Sequence, residues 1–277
     1  MTSSLVPLAG VIGDPISHSK SPRLFAHWLR EMGLPGQYIA MHVKAPDFPD
    51  VLRALPRMGF KGVNVTLPHK SQALHLADHK SDRAVMIGAA NTLIFRADGS
   101  IQADNTDGLG FLANLQQNAP EWRPKSGPAA VLGAGGASRA IISALLDAGV
   151  PRILLTNRTR GRADALRSDF GSRLEVVDWV DAGGAIDDAA VVVNTTSLGM
   201  VGQPELRVPL DGLTPDKLVT DLVYAPLETG LLKTARASGC TVVDGLGMLL
   251  HQAVPGFERW FGQRPVVTEA TRLAVLG

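Results

Sequence analysis

The stretch Val131-Leu132-Gly133-Ala134-Gly135-Gly136-Ala137-Ser138 decides how this chain is read. The apolar run Ala129 to Leu132 ends in three glycines within four residues, and a helix-forming segment, Ala137 to Ala148, follows at once. Strand, glycine turn and helix in that order open a dinucleotide-binding βαβ unit. The glycines permit the tight turn and let backbone N–H groups approach a pyrophosphate at the positive end of the helix. The third position of the general fingerprint holds Ser138 rather than glycine, so the loop by itself remains compatible with a plain turn.

Downstream of this loop the alternation continues. Strands are expected at Arg152 to Thr156, Leu174 to Val177, Ala190 to Asn194, Leu218 to Leu222 and Thr241 to Val243, with helices at Gly161 to Phe170 and Leu227 to Ser238. That rhythm implies a parallel sheet covered on both faces. About twenty residues past the glycine loop an NAD-binding unit places Asp or Glu on the ribose hydroxyls. This chain has Asn157-Arg158-Thr159-Arg160-Gly161-Arg162 instead. Cations at a helix N-terminus oppose the dipole unless an anion sits among them, which points to the extra phosphate of NADP; the alternative is a solvated basic helix start.

Upstream, Leu8 to Gly13 reads as a buried strand. Ser21 is expected to cap a helix with Pro22 in its first position, running to about Met32. Strands follow at Gln37 to Val43 and Phe60 to Thr66, flanking a helix at Asp47 to Met58. Pro68 to Ile87 reads as helical with a break near Asp78. Ala90 to Arg96 and Ser100 to Ala103 read as a hairpin around Asp98-Gly99, and Thr106 to Asn118 as a helix. Pro120 to Pro128 is a connection, and helices at Gly245 to Trp260 and Thr268 to Leu276 close the chain. The expected organisation is α/β.

Composition narrows the function. The 277 residues carry 27 Lys and Arg against 26 Asp and Glu, a net charge of +1, so no global field exists to hold nucleic acid or an anionic membrane. With 45% hydrophobic residues the chain can build a full core. A lone cysteine, Cys240, excludes an internal disulfide framework and fits a reducing, cytoplasmic setting. The apolar run Leu5 to Ile12 lacks a preceding Lys or Arg and leads into Gly13-Asp14-Pro15, unlike a secretory signal, and no stretch is long enough for a membrane span.

Other segments leave their readings open on local chemistry alone. In Asn64-Val65-Thr66-Leu67-Pro68-His69-Lys70 a strand ends in polar residues and places an ammonium group at the carboxyl end of the sheet, where open α/β folds keep ligands; considered alone, Lys70 reads more readily as a surface lysine. Asn105-Thr106-Asp107-Gly108 reads as a helix cap through Thr106 or Asp107, and Ser17-His18-Ser19-Lys20-Ser21 as a capping segment. His75 and His79 share metal-pair spacing on an expected helix, but lack a third ligand and read as exposed histidines; no metal site is expected. Trp28 and Trp260 are expected to pack, and His69 to play no chemical part.

Taken together, Ile12 to Pro22, Asn64 to Lys70, Gly88-Ala89-Ala90-Asn91-Thr92, Asp104 to Gly108, the glycine loop, Asn157-Arg158-Thr159, Asn194 to Met200, Asp221-Leu222-Val223-Tyr224 and Gly245 to Leu249 with Gln252 resemble the shikimate dehydrogenases over nearly the whole chain. The resemblance implies reversible NADPH-dependent reduction of 3-dehydroshikimate to shikimate, a step toward chorismate and the aromatic amino acids. It also implies a substrate-binding domain of residues 1–107 and 245–277, a Rossmann-type doubly wound NADP-binding domain spanning 108–244, and a cleft between them. It casts Lys70 as the catalytic lysine and Asp107 as its carboxylate partner. Ser17 and Ser19, with Tyr224, would hold the substrate carboxylate, and Asn64, Thr66, Asn91, Asp107 and Gln252 the ring hydroxyls. Gly133, Ala134, Gly135, Gly136, Ala137, Asn157, Arg158, Thr159, Arg162, Thr195, Leu222, Gly245 and Met248 would line the NADP site. Which of Arg158, Arg160 and Arg162 meets the phosphate stays open. A quinate/shikimate dehydrogenase using NAD and a catalytically silent NADP-binding regulatory module are the alternatives, and a homodimer is compatible with the chain.

Overall fold

Short apolar strands recur at the expected places, and their parallel pairing lines up the polar residues that follow them. The computed structural model describes residues 6–277, so Leu5 of the N-terminal apolar run lies outside it. Two compact units result. One comprises the described residues up to Thr106 together with Leu250–Gly277; the other is Asp107–Leu249.

The first unit contains β1 (Leu8–Gly13), α1 (Ser21–Glu31), β2 (Gln37–His42), α2 (Phe48–Ala54), β3 (Phe60–Val65), α3 (Lys70–Leu76), β4 (His79–Lys80), α4 (Asp82–Ile87), β5 (Thr92–Phe95) and β6 (Ile101–Asp104). Its six strands make one mixed sheet in the order β2-β1-β3-β5-β6-β4. β1 runs parallel to β2 and β3, whereas β5 is antiparallel to both β3 and β6. One face packs Ile12, Phe48, Leu52, Val63, Val65 and Leu93 into a dry core, each side chain contributing roughly 1.5–3 kcal/mol of transfer free energy. Elsewhere in the unit Phe25 stacks on Tyr38 at 3.7 Å and lies 5.8 Å from Trp260. Trp28 and Trp260 are both buried packing residues, as expected.

Three local readings change. Ser21 does not cap α1: Lys20 occupies the N-cap position, Ser21 and Pro22 lie inside the first turn, and no side chain caps the end. Lys20 instead extends its Nζ to the Val275 carbonyl, 3.0 Å away. The Asp47 to Met58 helix becomes a 3₁₀ turn from Leu55 to Met58, because Pro56 cannot donate the next α-helical bond. His79 is not helical; it starts the two-residue strand β4 beside β6, so it and His75 share no helix face. The break near Asp78 therefore separates two short helices, the second capped by the Ser81 hydroxyl.

The second unit contains α5 (Asp107–Asn118), β7 (Ala129–Leu132), α6 (Gly136–Ala148), β8 (Ile153–Thr156), α7 (Arg160–Phe170), β9 (Leu174–Val177), α8 (Ala182–Asp188), β10 (Val191–Asn194), β11 (Leu218–Asp221), α9 (Gly230–Ala237), β12 (Thr241–Val243) and the first turn of α10 (Leu246–Phe261). The rest of α10 and α11 (Glu269–Leu276) belong to the first unit. All six strands are parallel in the order β12-β11-β10-β7-β8-β9, the doubly wound arrangement in which the direction of winding reverses between β7 and β10. Helix α8 was not expected; it forms across Gly183-Gly184 because Ala182, Ala185 and Ile186 bury one face.

The division of the chain falls at Thr106/Asp107 and Leu249/Leu250, a few residues from the expected 107/108 and 244/245. Packing of the α10 start accounts for the second shift. A side chain on Gly245 would meet the Leu222 carbonyl at 2.4 Å, one on Gly247 would meet Asn114 Oδ1 at 1.8 Å, and Met248 packs on the core of the second unit.

Candidate functional site

Register gathers the candidate residues within each unit. In the first unit Ile12 pairs with Val65, Asn64 with Thr92, and Thr92 with Asp104, so Gly13, Thr66, Asn91 and Asn105 emerge along one edge of the sheet. A buried polar network fills that edge. Asn64 Oδ1 accepts from the Tyr38 hydroxyl at 2.7 Å, while its Nδ2 donates to the Asn91 carbonyl at 3.1 Å and to Thr92 Oγ1 at 3.2 Å. Asn91 Oδ1 accepts from Thr106 N at 2.9 Å and from Thr92 Oγ1 at 2.9 Å, and Asn91 Nδ2 donates to Gln252 Oε1 at 3.3 Å. The Thr106 hydroxyl reaches the Gln252 carbonyl at 2.9 Å, so its side chain ties strand edge to α10 and does not cap α5.

Asn64, Asn91 and Gln252, far apart in sequence, are thereby brought into one hydrogen-bonded group. Thr66 and Ser17 project hydroxyls that no protein group engages, and the Gln252 Nε2 is likewise uncommitted, among the described residues. Ser19 Oγ weakly accepts from Ser21 N at 3.4 Å. Lys70 is half-buried and opens α3, directly after the β3 turn in which His69 N donates to the Thr66 carbonyl at 3.0 Å. His69 itself is a packing residue. Its ring lies parallel to Phe48 at 4.5 Å and its Nε2 bonds the Val43 carbonyl at 2.7 Å, which anchors the head of α3. Tyr38 and Thr106 carry more of this network than the sequence reading gave them. Tyr38 is one of only two tyrosines, set on a strand where a phenolic hydroxyl needs a partner once buried.

In the second unit Leu132 pairs with Thr156 and Asn194, and Asn194 pairs with Asp221. The residues that follow those four strand ends are Gly133, Asn157, Thr195 and Leu222, so the register gathers the expected cofactor segments at the carboxyl edge of the sheet. Gly133 adopts φ +109°, and a side chain there would strike Thr196 Cγ2 at 2.7 Å and Thr195 Oγ1 at 2.9 Å. Thr195 Oγ1 bonds the Leu132 and Gly133 carbonyls at 2.9 and 3.1 Å, and Ala134 N donates to Asn157 Oδ1 at 3.0 Å. The loop is therefore held from below by β10 and from the side by β8.

Above it, the Cβ positions of Gly135 and Gly136 face open space, and α6 begins with neither a side-chain cap nor an acidic residue in its first turn. Ala137 completes that turn. Such a helix start suits an anion. Thr159 holds the N-cap position of α7. Its arginines separate into two kinds. Arg160 is bound to Asp178 and lies 3.7 Å from Asp164, and the Asp178 hydrogen bond pushes its guanidinium pKa up; Arg158 and Arg162 are exposed and have no ion-pair partner among the described residues. Leu222 and Met248 pack on the same core, with Gly245 against the Leu222 carbonyl. Asp107, buried, heads α5, and the half-buried Tyr224 follows β11, where burial pushes its hydroxyl pKa up. No cluster of three or more potential metal ligands occurs among the described residues, and no helix there is long and apolar enough to cross a membrane.

Comparison with known proteins agrees with this layout. Residues 11–93 match the shikimate dehydrogenase substrate binding domain, residues 116–201 the shikimate/quinate 5-dehydrogenase family and residues 245–272 the shikimate 5'-dehydrogenase C-terminal domain. The shikimate dehydrogenase (NADP(+)) of Cereibacter sphaeroides is 67% identical over 271 residues, covering 98% of this chain and 97% of that protein. This chain belongs to the shikimate dehydrogenase family. Among solved structures, shikimate 5-dehydrogenase from Thermus thermophilus, in complex with NADP(H) and shikimate, is 38% identical with a TM-score of 0.86, covering 96% of this chain and 99% of that one. Quinate dehydrogenase from Corynebacterium glutamicum in complex with NAD is 33% identical with a TM-score of 0.90, covering 97% and 98%.

Proposed function

We propose that this chain is an NADP-dependent shikimate dehydrogenase, which reversibly reduces 3-dehydroshikimate to shikimate on the route to chorismate and the aromatic amino acids, in a cytoplasmic setting. The observation that carries the reading is the pairing of two things in a member of this family: an uncapped glycine-loop helix beside uncommitted Arg158 and Arg162 in the second unit, and in the first a buried polar network together with Lys70 at the head of α3.

Most of the substrate contacts are assigned to the first unit. A polyol acid offers many donors and acceptors, and a pocket that leaves one unmatched loses the cost of a buried unpaired group. Gln252 Nε2, Thr66 Oγ1 and the remaining Asn64 Oδ1 lone pair meet ring hydroxyls, with Asn91 aligned between them, and Asp107 accepts from a further hydroxyl. Ser17 and Ser19, with Tyr224, hold the carboxylate. The second unit is assigned the cofactor. Gly133 to Ala137 face the pyrophosphate, Asn157, Arg158, Thr159 and Arg162 the phosphorylated adenosine end, and Thr195, Leu222, Gly245 and Met248 the remainder. When bound, NADPH supplies the hydride that turns the keto carbon into an alcohol. Lys70 donates the proton that the developing alkoxide requires and takes one up in the oxidative direction.

Arginines at the phosphate position favour NADP over NAD, and the quinate dehydrogenase likeness makes the choice of polyol worth testing directly. An absorbance assay of nicotinamide reduction with shikimate or quinate, each with NADP+ or NAD+, decides it. The expected result is a kcat/KM highest for shikimate with NADP+ by tenfold or more, about what one retained charge-assisted contact supplies. Preference for quinate with NAD+ would overturn the assignment, and no turnover with any pair would favour a silent cofactor-binding module.

A further inference from the structure

Asp221 ends β11 with its carboxylate wholly buried, and no cation pairs with it among the described residues. Three donors surround it. Asn194 Nδ2 and Val223 N reach Oδ1 at 3.0 and 2.9 Å, and the Thr229 hydroxyl reaches Oδ2 at 2.8 Å. Two of these are N–H groups converging on one oxygen, an arrangement that suits an ionised carboxylate. A buried charge satisfied only by neutral donors is an expensive device, and packing alone does not require one.

Its place in the fold suggests a use. In a doubly wound sheet the two halves of a dinucleotide lie over the carboxyl ends of the two strand sets on either side of the reversal. Arg158 and Arg162 follow β8, which puts the phosphorylated adenosine end over β7-β8-β9 and leaves β10-β11-β12 for the nicotinamide end. Asp221 lies at the carboxyl end of that second set, one residue before Leu222, and Asn194 relays it onward: Asn194 Oδ1 accepts from Thr196 N at 3.0 Å and from Thr196 Oγ1 at 2.7 Å, and Thr196 packs against Gly133. The oxidised nicotinamide is a cation and the reduced ring is neutral, so a fixed negative charge at that end of the sheet distinguishes the two forms.

We propose that Asp221 is a cofactor-tuning residue, whose buried charge at the end of β11 strengthens binding of NADP+ relative to NADPH. The inference rests on the functional reading above and adds a role for a residue that need not touch either ligand. Burial pushes the Asp221 carboxyl pKa up despite its three donors, so ionising it works against folding, and the isosteric amide in Asp221→Asn should fold.

The test is binding without substrate: NADPH by its fluorescence and NADP+ by calorimetry, for the wild type, Asp221→Asn and Thr229→Val. Asp221→Asn should raise the ratio of the NADP+ to the NADPH dissociation constant roughly five- to tenfold, the scale for one unit charge acting across about 10 Å at an effective dielectric near 20 and reduced by screening. Thr229→Val removes the bond to Asp221 Oδ2 and the α9 cap bond from Leu232 N but keeps the charge, so it should leave the ratio within about twofold. A ratio unmoved in Asp221→Asn, or both constants weakened in parallel, would overturn the proposal. If that variant does not fold, the wild type decides: NADPH bound more than about tenfold tighter than NADP+ contradicts a charge that favours the cation, and comparable affinities support it. Binding of neither form by the wild type would overturn the functional reading along with this one, whereas binding with an unmoved ratio overturns this one alone.

Discussion

A hydroxyl or amide serves a ligand only where the protein has left it unengaged, and that distinction separates residues that share a motif. Asn64 uses both Nδ2 hydrogens and one Oδ1 lone pair on Tyr38, Asn91 and Thr92, so it aligns the site at least as much as it contacts a substrate. Thr66 and Gln252 keep free donors. Tyr38→Phe removes the bond that fixes the Asn64 amide, a loss of about 1 kcal/mol. Steady-state kinetics should show the shikimate KM raised severalfold with kcat changed less, and an unchanged KM would mean that Asn64 needs no such anchor. Among the arginines, Arg158→Asp should shift preference toward NAD, while Arg160→Ala, which loses a partner already inside the protein, should leave NADP affinity within about threefold. Cofactor titrations of both variants check this; equal losses would assign Arg160 to the phosphate too.

At the level of elements, close approach limits substitution more than helix or strand preference does. Gly62 in β3 sits where a side chain would meet the Leu93 carbonyl and Trp260 Nε1, both at 2.1 Å, and Trp260 Nε1 donates to that same carbonyl at 3.2 Å. Gly62→Ala should therefore cost about 2–4 kcal/mol, overpacking plus a broken buried hydrogen bond, read as a lower midpoint in denaturant unfolding. A midpoint within error of the wild type would show that the strand yields more easily than its packing implies. Elements were legible in sequence where apolar period and glycine punctuation agree, as in β7, α6 and the Asp98-Gly99 hairpin. They were not legible where tertiary contact overrules local preference: α8 forms through Gly183-Gly184, and β4 pairs with β6 in a segment of helical pattern. Lys20 at the head of α1 is a third case, since its role depends on a carbonyl 255 residues away.

For the whole molecule, charge acts through a few partly buried pairs, given a net charge of only +1. Burial alone would raise the Asp104 carboxyl pKa, but hydrogen bonds from Arg83 and Ser81 outweigh it and hold the group below its usual value. The stability this contributes is complete above the unfolded pKa of about 3.9 and is lost as pH falls through the lower folded value. Asp104→Asn should cost about 1–3 kcal/mol in unfolding at neutral pH and progressively less as pH falls below the ordinary carboxylate range. A cost that does not vary with pH would contradict the ion-pair account. The glycine loop and basic cluster could be read from residues alone because backbone and charge requirements leave few alternatives. Lys70, Asp107 and Gln252 could not, since a lysine, an aspartate and a glutamine acquire meaning only from neighbours that folding supplies. The most direct test of the central claim is therefore the steady-state kinetics of Lys70→Ala with shikimate and NADP+. The account predicts a kcat lowered by about 10²- to 10⁴-fold with much smaller changes in either KM; near-normal turnover in the folded variant would contradict it.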